Sequence, residues 1–340
     1  MKILVTGDRG YIGPVLIKQL LARRYTVVGM DTDFFVFSPP LENNSYRKIH
    51  KDIRQVNERD LYGIEAIIHL AALSNDPLGA LNMKLTEDIN YKATIRLAKL
   101  AKKSGVKRFI FSSSCSIYGK CDIDEVNEQS TVAPLTAYAK SKIDTEKGLL
   151  ALASDDFCVV LMRNSTVYGY SPNLRIDLVV NNLVAHAVTT GEIKILSDGT
   201  PWRPLIDVRD LSRICINFLE IEKEKVNGVI VNIGFAENNV QVKDIALRIQ
   251  KRLSACTIVY SNEHGKDTRS YKVNFDKFHM LFSGLRQEWT IEKSIDDLVS
   301  YFKRNNFSHI DITSGKYERI AVLKQLLMER KVDSRLYWIT

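Results

Sequence analysis

Cysteine, long apolar runs and clustered charge are what this sequence has least of. Its five cysteines, Cys115, Cys121, Cys158, Cys215 and Cys256, form no Cys-x-x-Cys pair and lie mostly in apolar surroundings. That argues against a disulfide framework and a zinc or other metal site, and for thiols kept reduced. No stretch approaches the roughly 20 consecutive apolar residues needed to cross a bilayer, and no basic, apolar leader precedes the first strand. A cytoplasmic protein without membrane association is expected. The 48 Lys and Arg exceed the 40 Asp and Glu, for a net charge of +8, yet the bases are spread along helices, as at Arg96, Lys99, Lys102 and Lys103. No basic patch interleaved with aromatics marks a nucleic-acid surface, whereas a mildly positive field suits an anionic small substrate. Repeats and low-complexity segments are absent too. With 45% apolar and 26% charged residues over 340 positions, the chain is a folded one with room for a large core or two domains.

What is present starts at the N-terminus. Met1 to Thr6 read as a strand, and Gly7, Gly10 and Gly13 follow at a spacing of three before an apolar helix begins near Tyr11 or Ile12. Glycine at the first position permits a tight turn, at the second lets the backbone approach a pyrophosphate, and at the third keeps the helix close to the sheet. The helix then turns its free N–H groups and positive dipole end toward the phosphates. A second strand, Thr26 to Met30, closes on Asp31, an acid placed to accept hydrogen bonds from an adenosine ribose and to repel a 2′-phosphate. This favours NAD over NADP, although Arg9 lies in the turn.

Further on, Ser45 to His50 read as a strand leading to Asp52 and Ile53, which could flank an adenine. Ala66 to Leu70 form the next strand, with Ala71 and Ala72 small enough for a dinucleotide to pass. His69 within it is expected to be buried and hydrogen-bonded, not catalytic. Ser74 to Pro77 read as a polar loop at the carboxyl end of that strand, where open parallel sheets bind ligands, which makes Ser74 a substrate-binding candidate. Thr86 to Ser104 are helical, Lys107 to Phe111 a strand leading into Ser112–Gly119 (SSSCSIYG), and Pro134 to about Ala153 lead into and form a helix carrying Tyr138 and Lys142. Strand Cys158 to Arg163 completes an α/β alternation, meaning a Rossmann-type doubly wound parallel sheet. Residues 1–165 with 205–235 are expected to bind the dinucleotide, and 166–204 with 236–340 to form a smaller C-terminal substrate-binding domain. The amphipathic stretch after Tyr317 is expected to pack on its own subunit.

Tyr138 and Lys142 stand four apart, on one helix face and about 6 Å apart along the axis. A lysine charge beside a phenol favours the phenolate and draws the tyrosine down from its ordinary value of about 10, giving a general base. Lys142 can also hold the nicotinamide ribose, and Ser114 supplies a second hydroxyl at the substrate oxygen.

In this order the motifs resemble the extended short-chain dehydrogenase/reductase family, above all its sugar-nucleotide epimerases. The matching residues are Thr6 to Gly13 (TGDRGYIG), Asp31, Asp52-Ile53, the HLAA segment, Asn90, Ser114, and Tyr138 with Lys142, followed by Arg163 to Gly169 and Thr200 to Val208. The resemblance implies bound NAD, a nucleotide-sugar substrate and a homodimer. It places Gly7, Gly10, Tyr11, Ile12, Gly13, Asp31, Asp52, Ile53, Leu70, Ala71, Ala72, Asn90, Tyr138 and Lys142 at the cofactor. At the substrate it places Ser74, Ser114, Thr166, Arg203 and Arg269, with Arg203 holding the diphosphate. Cys115-Ser116 stand where the family's sugar dehydratases carry Asp-Glu, so no acid is in place to eliminate water, and Thr166 replaces a frequent asparagine. The expected reaction is epimerisation by C4 oxidation to a transient ketosugar and hydride return, with net 4-ketosugar reduction as the alternative.

Overall fold

The computed structural model describes residues 1–36, 46–261 and 270–339. Arg269 and most of the Phe34 to Pro40 segment lie outside the described residues. In chain order the strands are β1 (Lys2–Thr6), β2 (Thr26–Asp31), β3 (Arg47–His50), β4 (Ala66–His69), β5 (Arg108–Ser114), β6 (Lys120–Val126), β7 (Cys158–Asn164), β8 (Thr166–Tyr168), β9 (Glu192–Ile195), β10 (Trp202–Asp207), β11 (Val229–Ile233), β12 (Asn239–Gln241), β13 (Thr257–Tyr260) and β14 (Ser270–Val273). Seven of them make one all-parallel sheet in the order β11-β7-β5-β4-β1-β2-β3. The chain runs outward from β1 in both directions, so β1 and β4 flank the switch point where such sheets open a ligand crevice. This is the doubly wound fold read from the alternation of strands and helices.

Side chains alternate across β1. Leu4 packs with Leu97 and Ala101 of the helix over Ala93–Lys103, whereas Ile3 and Val5 pack with Leu16 and Leu20 of the helix over Gly13–Ala22 and Leu211 and Phe218 of the helix over Val208–Glu220. Both sheet faces are therefore covered, which is why the strands read as near-continuous apolar runs. A third core gathers Tyr168, Ile176, Val184, Leu205, Ile249 and Ile295 around the three-stranded sheet β12-β10-β8. Leu323, Val332 and Leu336 return to the first core, so the amphipathic tail packs on its own chain.

Helices near the crevice are α1 (Gly13–Ala22), α2 (Asp76–Leu81), α3 (Met83–Thr86), α4 (Ala93–Lys103) and α5 (Ala137–Leu150). Two local expectations need correction. The polar Ser74 to Pro77 stretch is a helix start, because the Asn75 side chain accepts from the Leu78 N–H and caps α2. The helix expected from Thr86 starts at Met83, and Glu87–Lys92 form a π-helical turn between α3 and α4. The segment after Gly119 is β6, paired in parallel with β14, a long-range pairing that periodicity cannot show.

Candidate active site

The glycine turn behaves as its spacing implies. Gly7 has φ +75°, and a Cβ there would lie 2.8 Å from the Ala71 nitrogen, so β1's turn abuts the end of β4. At Gly13 a Cβ would come within 2.3 Å of the Asp8 carbonyl oxygen, which locks α1 against the turn. Gly10 differs: a Cβ would meet only the Gly7 oxygen, at 3.2 Å, and would otherwise fill the open side of the cradle. Helix α1, with Ile12 at its N-cap, has no side-chain cap and no acid in its first turn, while α5 is capped by Thr136. A helix end of this kind suits an anion, and a dinucleotide pyrophosphate fits the cradle.

Asp31 lies at the turn's edge. Its carboxylate accepts from the backbone N–H groups of Arg9 (3.1 Å) and Asp33 (2.9 Å), and burial pushes its pKa up. Tyr11 is buried and its hydroxyl donates to the Gly169 carbonyl (2.5 Å), fastening the turn to the loop after β8. Ile12, Leu70, Ala71 and Ala72 are partly exposed around the cradle, Ile53 is buried, and Asp52 holds Arg54 through both carboxylate oxygens (3.0 and 2.7 Å). Asn90, in the π turn, uses its amide on Leu73 and Ser141, tying the end of β4 to α5. His69 is buried between the hydroxyls of Thr6 (2.6 Å) and Thr94 (2.8 Å), and burial lowers its pKa to about 3, so it is a neutral structural residue as expected.

Behind the turn lies Asp8, 2% exposed and accepting from the Tyr46 hydroxyl at 2.8 Å. Burial first, then the charges of Asp31 and Asp33, raise its pKa from 3.8 to about 7, against the Tyr46 bond and Lys48. Between those values the folded state holds a proton that the unfolded chain has released, so Asp8's contribution to stability is complete at the acid end and lost by about pH 7. Asp8→Asn removes this dependence. Its melting temperature is expected to rise relative to wild type as pH goes from 5 to 8, and parallel curves would show that Asp8 ionises normally.

The catalytic candidates meet at the carboxyl end of β5. Lys142, 4% exposed, donates to the Ser112 carbonyl (2.6 Å) and stands 4.6 Å from the Phe111 ring centroid and 5.5 Å from that of Tyr138. Burial lowers its pKa to about 7, opposed by the charge of Glu146 one turn on. Ser114, at the end of the same strand, donates to Ser116 Oγ (2.9 Å). Gly79 of α2 faces Tyr138 so closely that a Cβ would lie 2.9 Å from the tyrosine Cβ. Beneath them Glu146 accepts from Ser113 (2.5 Å) and pairs with Arg163 of β7 (2.8 Å), fixing α5 to two strands.

On the substrate side, Thr166 of β8 and Arg203 of β10 lie on neighbouring strands, where Leu205 pairs with Thr166; Arg203 donates to the Trp202 carbonyl (2.9 Å). Ser74 is exposed and receives a long contact from Arg175 (3.4 Å). Arg175 itself was not singled out in the sequence, yet it is buried, bidentate on Asp177 (both contacts 2.8 Å), and close enough to Tyr11 and Tyr138 to feel their charge. The Arg-x-Asp spacing after Tyr168-Gly169 was the available signal. Asn75 also donates to Asp177 (2.9 Å), so α2 and the Arg175 loop close one side of the crevice together.

The sequence and the fold are similar to those of known proteins. The family model described as "NAD dependent epimerase/dehydratase family" matches residues 3–234. An uncharacterized UDP-glucose epimerase, YtcB of Bacillus subtilis, is 29% identical over 73% of this chain and 81% of its own length. A UDP-glucuronate 4-epimerase of Thermodesulfobacterium geofontis is 27% identical over 89% of this chain and 96% of its own. The solved structure of MoeE5 in complex with UDP-glucose and NAD superposes with a TM-score of 0.78 at 26% identity, covering 90% of this chain and all of that one.

Proposed function

The chain belongs to the NAD dependent epimerase/dehydratase family, and from that membership we infer that it is an NAD-dependent 4-epimerase of a nucleotide-activated sugar. The observation that carries the reading is the seat of Tyr138 and Lys142 on successive turns of α5, against the β5 end that carries Ser114. NAD, when bound, supplies a reversible hydride acceptor for the sugar carbon. Gly7, Gly10, Tyr11, Ile12 and Gly13 hold its pyrophosphate, Asp31 its adenosine ribose, and Asp52 and Ile53 its adenine. Leu70, Ala71 and Ala72 line its path, Asn90 supports them, and Lys142 with Tyr138 holds the nicotinamide ribose. Tyr138 takes the proton of the C4 hydroxyl and returns it to the same oxygen once the transient ketosugar has turned its opposite face to the cofactor and hydride has come back to C4, and Ser114 shares a hydrogen bond with that oxygen. Net ketosugar reduction is less well supported, because the relatives carry epimerase names.

In this reading residues 1–165 with 205–235 form the cofactor unit, and 166–204 with 236–340 form the substrate unit, whose tail returns to the cofactor core. The nucleotide is a uridine diphosphate, as in the names of the relatives. Thr166, Ser74 and Arg203 contact the substrate, joined by Arg269. A cytoplasmic homodimer serving carbohydrate biosynthesis completes the proposal; among the described residues no helix is long and apolar enough to cross a membrane.

Arg203 is the residue that tests substrate class. Arg203→Ala is expected to cost roughly 1.5–3 kcal/mol of UDP and UDP-sugar binding, the scale of hydrogen bonds to charged groups, and to leave bound NAD in place. Calorimetric titration of UDP, GDP, CDP and dTDP into both proteins reads this directly. If no nucleoside diphosphate binds wild type, the sugar-nucleotide assignment is wrong.

A further inference from the structure

The C-terminal segment touches the cofactor unit at the residues that follow Asp31 and Asp52. Trp338 Nε1 donates to the Thr32 carbonyl at 2.6 Å, and its ring tilts against Phe34 with centroids 5.5 Å apart. The Tyr337 ring lies under the Arg54 guanidinium at 3.8 Å. That same guanidinium donates to the carbonyls of Arg335 (2.8 Å) and Leu336 (3.3 Å) while it holds Asp52. Val332 and Leu336 are buried in the core that contains Met30 and Ile53, so the segment is anchored from below.

The turn it grips needs holding. Asp33 has φ +60°, the left-handed region that an L residue adopts at a cost, although aspartate tolerates it better than most. The Asp33 N–H is one of the backbone donors that orient the Asp31 carboxylate. Thr32, between them, offers its carbonyl to Trp338 on one side and to His50 Nε2 (3.1 Å) on the other. Indole is a donor only, so the Trp338 bond has one possible direction. A change at Trp338 is therefore transmitted to Asp31 across a single peptide unit.

We propose that the C-terminal segment is part of the NAD site: Trp338 is a positioning residue that acts through Thr32 to aim Asp31 at the adenosine ribose, and Tyr337 acts through Arg54 to hold Asp52 beside the adenine. The proposal rests on the NAD reading above. It makes cofactor retention depend on a segment distant in sequence from the glycine turn, which suits a reaction that ends with the cofactor in the state in which it began.

The test is the NAD dissociation constant of the full-length chain, measured by calorimetry, with melting temperature recorded beside it. Trp338→Phe keeps a ring against Phe34 and deletes the donor; it is expected to weaken NAD about three- to tenfold, the worth of one hydrogen bond, at little cost in melting temperature. Trp338→Ala should weaken it further. In an Asp31→Asn background the Trp338→Ala change should add little, because the contact it positions is already gone. Wild-type affinity in both Trp338 variants, or an undiminished effect in the Asp31→Asn background, overturns the proposal and leaves the NAD reading standing. A wild-type chain that takes up no NAD removes both. Should Trp338→Ala fail to fold, Trp338→Phe alone and with Asp31→Asn decides.

Discussion

Tyr138→Phe is expected to lower turnover of a UDP-sugar by a factor on the order of 10² or more, with NAD content unchanged, since a positioned general acid/base contributes about that much. The substitution removes one oxygen and little else. The ring is held by its backbone and by the close approach of Gly79, where even a methyl group would lie 2.9 Å from the tyrosine Cβ, so phenylalanine has the same seat. Lys142 keeps its bond to the Ser112 carbonyl, and the β5 end keeps its shape. What disappears is the oxygen proposed to take the proton of the C4 hydroxyl and to return it. Ser114 cannot replace it: its hydroxyl is bonded to Ser116 and has no cation beside it in the described contacts. Steady-state rates with the cofactor quantified spectroscopically check the result, and a Phe variant within tenfold of wild type would take Tyr138 out of the mechanism.

The parts of this site that were legible in the sequence are those in which one residue answers one local demand. Gly7 is required by a positive φ, Gly13 by contact with the preceding turn, Asp31 by its place at a strand end, and Tyr138 with Lys142 by helical spacing. Each leaves a mark within a window of a few residues. Arg175 left none of comparable strength, because its meaning comes from Ser74 and Tyr138, which are far off in sequence and near only once α2 and α5 have packed. Asn90 was visible as a family position, but not that a π turn would aim its amide at Leu73 and Ser141. The pairing of β6 with β14 and the return of Leu323, Val332 and Leu336 to the first core are long-range in the same sense. Periodicity predicts which face of an element is apolar, and does not say which distant face will cover it.

Burial of Lys142 sets two demands against each other. A charged lysine beside Tyr138 favours the phenolate, yet the fold lowers the lysine pKa to about 7, so the apo protein holds this cation at a cost. Glu146 relieves part of that cost, and its own partner Arg163 keeps it in place. A catalytic role for Lys142 would set function against stability at this position, as active sites commonly require.

Lys142→Met should expose both sides of the conflict. Turnover is expected to fall on the order of 10² or more, because in the proposed mechanism the Tyr138 phenolate loses its neighbouring cation and the nicotinamide ribose loses a donor. Stability should respond to pH in a way that identifies the lysine. Between about pH 7 and its ordinary value near 10.5, Lys142 is neutral in the folded chain and protonated in the unfolded one. The unfolded state then binds more protons, so wild-type stability gains from this residue as pH rises through that window, by an amount on the order of a few kcal/mol. Methionine has no proton to lose and lacks the gain. The loss of the Ser112 hydrogen bond is the same at every pH, so it shifts the variant's curve without changing its slope. Melting temperatures of the two proteins, measured from pH 7 to 9.5, should therefore diverge in favour of wild type at the alkaline end. Curves that stay parallel would mean that Lys142 remains charged throughout, and that its burial is relieved by a partner stronger than Glu146.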